Sequence, residues 1–194
     1  DIIHAGSLTL QVSPSKEATV TAMRKGHEMG KLVSYDINYR PNLWNDQKDK
    51  CMETVEKILP YVDLLKISDE ETALLTDHED PEEAAASLLD QGVRCVVVTL
   101  GSEGALLCTK EFAVRMPAQA AEVVDTTGAG DSFWGGLLYC LSQDHVRPEE
   151  LTREKAEAYL RYANAVAGLC VGKRGAIPAM PSGEEVEKRL SEVQ

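Results

Sequence analysis

Residues 123–141 read VVDTTGAGDSFWGGLLYCL. Val123 and Val124 have the character of a strand end, and Asp125, Thr126 and Thr127 that of a polar turn. Gly128, Ala129 and Gly130 lead into Asp131 and an apolar run. Phe133, Trp134, Leu137, Leu138 and Leu141 are spaced 1, 3, 1 and 3 apart, which is one face of a helix. The unit is therefore strand, small-residue turn, helix, with a carboxylate in the first helical turn. The first amides of a helix lack intrahelical partners and carry the positive end of the macrodipole. Glycines let an anion such as a phosphate approach that backbone closely. Asp131 would repel the anion there unless it had work to do. One such task is to take the proton of an attacking hydroxyl while the amides hold a transferring phosphoryl group. The plainer reading, that Asp131 only complements the helix dipole, is equally open on spacing alone.

The run DTTGAGDSF, residues 125–133, resembles the C-terminal signature of the ribokinase/fructokinase family, the PfkB carbohydrate kinases. The resemblance implies that Asp131 is the catalytic base and that Gly128, Ala129 and Gly130 form the anion hole. It implies a sugar substrate, ATP and Mg2+, and a monovalent cation, K+, beside the anion hole. Asp125 and Thr127 match the first part of that cation site. Cys170, Lys173 and Gly175 match the second, mainly through backbone carbonyls, whereas Ala179 stands where the family often has Ser.

Composition is that of an ordinary soluble globular protein. The chain has 194 residues, 43% hydrophobic and 27% charged, enough for a single domain over 1–194 with its own core. A net charge of −12 argues against a general nucleic-acid surface. No apolar run is long enough to span a membrane. Cys51, Cys95, Cys108, Cys140 and Cys170 are scattered, mostly in apolar surroundings, without metal-ligand spacing. That usage fits a reducing, cytoplasmic compartment and no structural metal. The chain opens directly into the strand-like Asp1-Ile2-Ile3-His4. The resemblance covers nearly all of it but only the C-terminal portion of a family member, so a sugar-recognition segment and a β-sheet lid are expected to be missing. In the family that lid often forms a homodimer interface.

The rest reads in order. Residues 2–5 form a short buried strand ended by Gly6 and Ser7, which read as small turn residues. Ser13 caps a helix with Pro14 at its first position, and Gly30 ends it. Leu32–Tyr35 is a strand that delivers Asp36 to the loop Asp36-Ile37-Asn38-Tyr39-Arg40-Pro41-Asn42-Leu43-Trp44. Polar groups past the C-terminal end of a strand are where open α/β sheets bind ligands, though a capped, hydrogen-bonded loop is the alternative. This loop resembles the D-x-N-x-R-x-x-L-W loop of fructokinases and 2-keto-3-deoxygluconate kinases, which implies Asp36, Asn38 and Arg40 at the substrate. Residues 46–58 form an amphipathic helix and 62–67 a third strand. Ser68 and Glu71 make a capping box. The family uses the same corner for Mg2+ and phosphates, which implies an indirect, water-mediated Mg2+ role for Glu71 and a nucleotide role for Ser68.

Asp80-Pro81-Glu82-Glu83 is a second capping box, opening a helix that Gly92 ends. Arg94–Leu100 is a Val-rich buried strand. Gly101-Ser102-Glu103-Gly104 reads as a tight hairpin. By resemblance to a T-x-G-x-x-G turn, Thr99, Gly101, Ser102 and Gly104 contact nucleotide. Residues 112–116 are an edge strand. An Ala-rich helix over 152–171 carries Asn164, which matches a position beside adenine and otherwise reads as a polar cap on the core. The run from Gly168 to Lys173 is not a Walker A loop, because three residues separate its glycines and Arg174 stands in place of Ser or Thr. Residues 183–191 form a terminal helix. Alternating strands and helices predict a ribokinase-like three-layer α/β/α architecture with a largely parallel sheet, truncated at its N-terminus. The function implied is ATP-dependent phosphorylation of a sugar, fructose first. 2-keto-3-deoxygluconate is the alternative, and a nucleotide-binding fragment without catalysis is a third reading.

Overall fold

A computed structural model describes residues 1–192. Six strands, β1 (Ile2–Gly6), β2 (Leu32–Asp36), β3 (Leu64–Ser68), β4 (Cys95–Thr99), β5 (Ala105–Cys108) and β6 (Ala113–Met116), form a sheet in sequence order. The pairs β1–β2, β2–β3 and β3–β4 are parallel. The helices are α1 (Ser15–Glu28), α2 (Lys48–Glu56), α3 (Thr72–Leu75), α4 (Pro81–Asp90), α5 (Ala129–Gln143), α6 (Arg153–Val171) and α7 (Gly183–Glu192). None of the described helices is long and apolar enough to cross a membrane.

Two compact units are distinguished. The first comprises Asp1–Thr99, Leu106–Ala113 and Arg147–Glu149. It holds β1 to β4, with α1 packed on β1 and β2 and α4 on β4. Val33, Tyr35, Leu65, Ile67, Val96, Val97 and Val98 are fully buried, as expected of parallel strands covered on both faces. β1 differs from its expected burial: it is an edge strand whose residues are half-buried or, at His4, exposed. Gly26 is where α1 crosses the strands, since a Cβ there would lie 2.4 Å from the Ile3 side chain. The start of α1 also departs from the expected cap. Pro14 is the N-cap, the Ser13–Pro14 peptide is cis, and the Ser13 hydroxyl is spent on Glu17. The end is as expected: Gly30 adopts a left-handed conformation, and its amide and that of Lys31 donate to the His27 and Gly26 carbonyls.

The second unit comprises Leu100–Ala105, Val114–Val146 and the residues from Glu150 on. Its centre is α5 against α6. The face predicted from residues 133–141 is the buried one: Phe133, Trp134, Leu137 and Leu141 are each 3% exposed or less. Gly136 allows the close approach, because a Cβ there would stand 3.0 Å from Val166 and 3.3 Å from the backbone of Ala163. Thr152 caps α6 through the Lys155 amide. Helix α7 buries Val186 against Ala165 and Val166.

Candidate active site

In the first unit, the loop after β2 is held from below. Asp36 is 3% exposed and Lys66, its register partner on β3, 5%. Asp36 Oδ2 accepts from Lys66 Nζ at 2.8 Å, while Oδ1 accepts the Asn38 amide at 3.1 Å. Asn38 takes a positive φ of 41°, a conformation Asn tolerates better than most residues. Ser7 is fully buried. Its hydroxyl donates to the Asn38 carbonyl at 3.5 Å and accepts from Trp44 Nε1 at 3.4 Å, so it is more than a small turn residue. Arg40 is exposed, with Nη1 donating to the Tyr39 carbonyl.

Glu71 is the second anchor. The capping box is present: Glu71 Oε2 accepts the Ser68 amide at 2.8 Å, and the Ser68 hydroxyl accepts in return. Its other oxygen accepts the Tyr39 amide at 2.7 Å, 32 residues away. With 7% exposure, Glu71 ties the end of β3 to the loop after β2. The box opens a 3-10 turn ahead of the short α3 rather than a long helix. Thr99 ends β4, its hydroxyl donating to the Ile67 carbonyl at 3.4 Å. Beneath the loop, burial pushes the Cys51 thiol up to about 11.

In the second unit, Gly128 is the N-cap of α5, at φ 82°. A Cβ there would lie 2.9 Å from Ala176 Cβ, so glycine is required by backbone and space together. Asp131 lies exposed in the first turn of α5. The Ala129 amide donates to the Thr126 carbonyl at 3.1 Å, and the helical ladder starts with Ser132 on Gly128. Of the expected anion hole, the Ala129 amide is thus engaged, and Gly130 lies next to Asp131 at the dipole's positive end.

No strand precedes this turn. Val123 and Val124 are 62% and 58% exposed. The amides of Val124 and Asp125 both donate to the Val171 carbonyl at the end of α6, so their backbone caps that helix instead of joining a sheet. Asp125 joins two loops. Its Oδ1 accepts the Thr127 amide and its Oδ2 the Gly175 amide, each at 2.9 Å. Hydrogen bonds from Thr127, then from the Gly175 amide, hold its carboxyl down at about 2. Gly175 therefore meets Asp125 through its amide. The Cys170 carbonyl accepts the Lys173 amide, and Lys173 Nζ pairs with Glu185 at 2.8 Å. Glu185 also forms a capping box with Ser182, a Ser-x-x-Glu signal that the reading of the sequence passed over.

Gly101 and Gly104 have φ of 55° and 102°, with Ser102 exposed between them. A Cβ on Gly104 would fall 2.0 Å from the Met116 carbonyl oxygen, so the hairpin itself demands glycine there. Asn164 is 5% exposed, and its Nδ2 donates to the carbonyls of Met116 and Pro117 at 3.4 and 3.0 Å. It is a polar cap on the core that ties α6 to the end of β6.

A glycine-capped helix start with a first-turn carboxylate, in a chain whose parallel strands end in polar loops, belongs to the class of α/β proteins that bind phosphate groups. The comparisons make the class specific. The family model of the pfkB family carbohydrate kinases matches residues 1–183, and the chain belongs to that family. It is 39% identical to the probable chloroplastic fructokinase-6 of Arabidopsis thaliana, over 97% of this chain and 49% of that protein. The fold superposes on the fructokinase of Vibrio cholerae, solved with fructose, ADP and a calcium ion. The TM-score is 0.88 at 32% identity, over 97% of this chain and 60% of that one. It also superposes on the aminoimidazole riboside kinase of Salmonella enterica, solved with its riboside and an ATP analogue. There the TM-score is 0.87 at 31% identity, over 98% of this chain and 62% of that one. The fold is thus the ribokinase-like α/β fold with a mostly parallel six-stranded sheet. The chain spans about half the length of the curated relatives it matches.

Proposed function

We propose that the chain supplies the phosphoryl-transfer half of an ATP-dependent sugar kinase, with fructose as acceptor. The observation that carries this is the turn at residues 125–131, with Gly128 locked left-handed and Asp131 in the next helical turn. In this reading a primary hydroxyl of the sugar gives its proton to the Asp131 carboxylate. The oxygen forms a bond to the γ-phosphorus of ATP as the bond to the β-phosphate oxygen breaks, and ADP leaves. The Gly130 amide and the α5 dipole stabilise the charge on the transferring group. Gly128 lets the phosphate come close. Asp131 needs no unusual proton affinity, because such a transition state asks chiefly for positioning and charge neutralisation. Ser68, Thr99, Gly101, Ser102, Gly104 and Asn164 line or support the nucleotide side, and Asn38 and Arg40 the acceptor side. Asp36 acts on the acceptor from below, through the loop.

Among the described residues no cluster of three or more His, Cys, Asp or Glu side chains could hold a metal. Mg2+ commonly keeps several waters and is bound through substrate phosphates. Each Glu71 oxygen accepts one amide and retains a lone pair, which suits a water-mediated role rather than direct ligation. When bound, Mg2+ would neutralise phosphate charge. K+ would need the carbonyls around Cys170 and Lys173, together with Asp125, Thr127 and Gly175.

The exposed Arg40 guanidinium favours a second acceptor, the sugar acid 2-keto-3-deoxygluconate, whose carboxylate it could pair with. A cytoplasmic location, and a dimer formed through a lid segment outside these residues, belong to the same proposal. The test is a coupled ADP-release assay with ATP and Mg2+, offering fructose, 2-keto-3-deoxygluconate, ribose or no sugar. Fructose-dependent release is expected. Nucleotide binding without ADP release for any sugar would instead support the non-catalytic reading, and release that ignores the sugar would count against a sugar acceptor.

A further inference from the structure

We propose that Lys66, through Asp36, is the positioning residue of the acceptor loop and tunes affinity for the sugar; the second clause rests on the sugar-kinase reading above. Lys66 sits in β3 among the buried apolar Leu64, Leu65 and Ile67. A lysine there is desolvated, and its ion pair with Asp36 does not explain itself by stability. Replacing a buried ion pair by well-packed apolar residues is often neutral or stabilising. What the pair does is directional. The ammonium fixes Asp36 Oδ2 at 2.8 Å, which aims Oδ1 at the Asn38 amide at 3.1 Å. That bond holds Asn38 in its left-handed conformation, so the chain turns sharply out of β2.

The next links continue outward. The Asn38 carbonyl is met by Ser7, and the Tyr39 amide by Glu71. Two consecutive backbone positions, 38 and 39, are thereby set by groups below the loop, which fixes how the side chain of Asn38 is presented and where the chain enters Arg40. The Lys66 ammonium also cancels the charge of Asp36. Within the described residues this is the only buried lysine, and its place in the strand sequence gives no sign of a partner 30 residues earlier.

The discriminating variant is K66M/D36L, which removes the pair without stranding a charge. Two readouts are taken on the whole chain: hydrogen exchange of the Asn38 amide, and KM for fructose beside the Kd for ADP. The expected result is a folded protein whose Asn38 amide exchanges about tenfold faster or more, as befits a local opening. Fructose KM should rise about tenfold while ADP affinity holds, the pattern of a lost acceptor-side interaction. Parental exchange and parental fructose KM would overturn the proposal and leave the pair a packing feature. Faster exchange with unchanged fructose KM would overturn its second clause alone. If the parent chain turns over no sugar, the reading of this chain as a kinase on its own fails, yet the exchange measurement still decides whether Lys66 positions the loop. K66R, which keeps the charge but moves it, is the companion variant if K66M/D36L does not fold, with the same exchange readout.

Discussion

Glu71→Gln separates a latch from a metal ligand. The Glu71 carboxylate is 7% exposed and accepts the Tyr39 amide at 2.7 Å and the Ser68 amide at 2.8 Å. Hydrogen bonds to a charged group contribute about 1.5–3 kcal/mol each. A glutamine keeps one carbonyl oxygen for one amide and turns an NH2 group towards the other, donor against donor. The cost should be that of one such bond plus an unpaired amide, about 2–3 kcal/mol. For a chain of this size that is a fall in Tm of about 4–12 °C. Glu71→Ala, losing both bonds, should fall further. The assay is thermal unfolding without nucleotide or divalent metal. It is followed by Trp44 fluorescence in a Trp134→Phe background, so that the signal comes from the unit carrying Glu71. A Tm for Glu71→Gln within about 1 °C of the parent would refute the latch and return Glu71 to a purely ligand-directed role.

Asp131→Asn should keep nucleotide affinity within about threefold and cut turnover by several orders of magnitude, as loss of a general base without loss of binding predicts; equilibrium binding of ADP beside the coupled assay checks it. Gly104→Ala should cost about 3 kcal/mol or more. Its backbone is left-handed and its Cβ would meet the Met116 carbonyl at 2.0 Å, so urea midpoints should shift far beyond a surface substitution. Asp125 has its carboxyl held at about 2 in the folded chain, below its ordinary 3.8. Its contribution to stability is therefore complete above pH 4 and lost as pH falls towards 2. Asp125→Asn should flatten that part of an acid-unfolding curve, and an unchanged curve would count against the bridge to Thr127 and Gly175. Burial raises the Cys51 and Cys108 thiols to about 11 and Cys140 to about 12. Thiol reagents at pH 8 should therefore label the native chain slowly and the unfolded chain at once.

The parts legible in the sequence were those decided within a few residues. The α5 start follows from Gly-Ala-Gly-Asp and the apolar face behind it. The α4 start follows from Asp80, whose carboxylate accepts the amides of Glu82 and Glu83. The Glu83 carboxylate lies 3.2 Å from His78 Nδ1. Parallel pairing follows from strands separated by helices. What the sequence concealed is set by distant partners. Asp36 reads as a ligand because it ends a strand, whereas its carboxylate is paired with Lys66 on the neighbouring strand. Val123 and Val124 have strand propensity, but the open end of α6 takes the amides of Val124 and Asp125. Gly104 and Asn164 look like ligand contacts by resemblance, while the structure gives each a full packing or hydrogen-bonding reason of its own.

The sheet's order has a consequence for how the chain is made. β1 pairs with β2, β2 with β3 and β3 with β4, each neighbour being the next strand in sequence. Every new pairing closes one strand-helix-strand excursion and no more, so the entropy of loop closure is met in small instalments. On a ribosome, such a sheet can grow by accretion as each segment emerges. From β2 to β4, each strand finds its docking edge already in place on the strand made just before it.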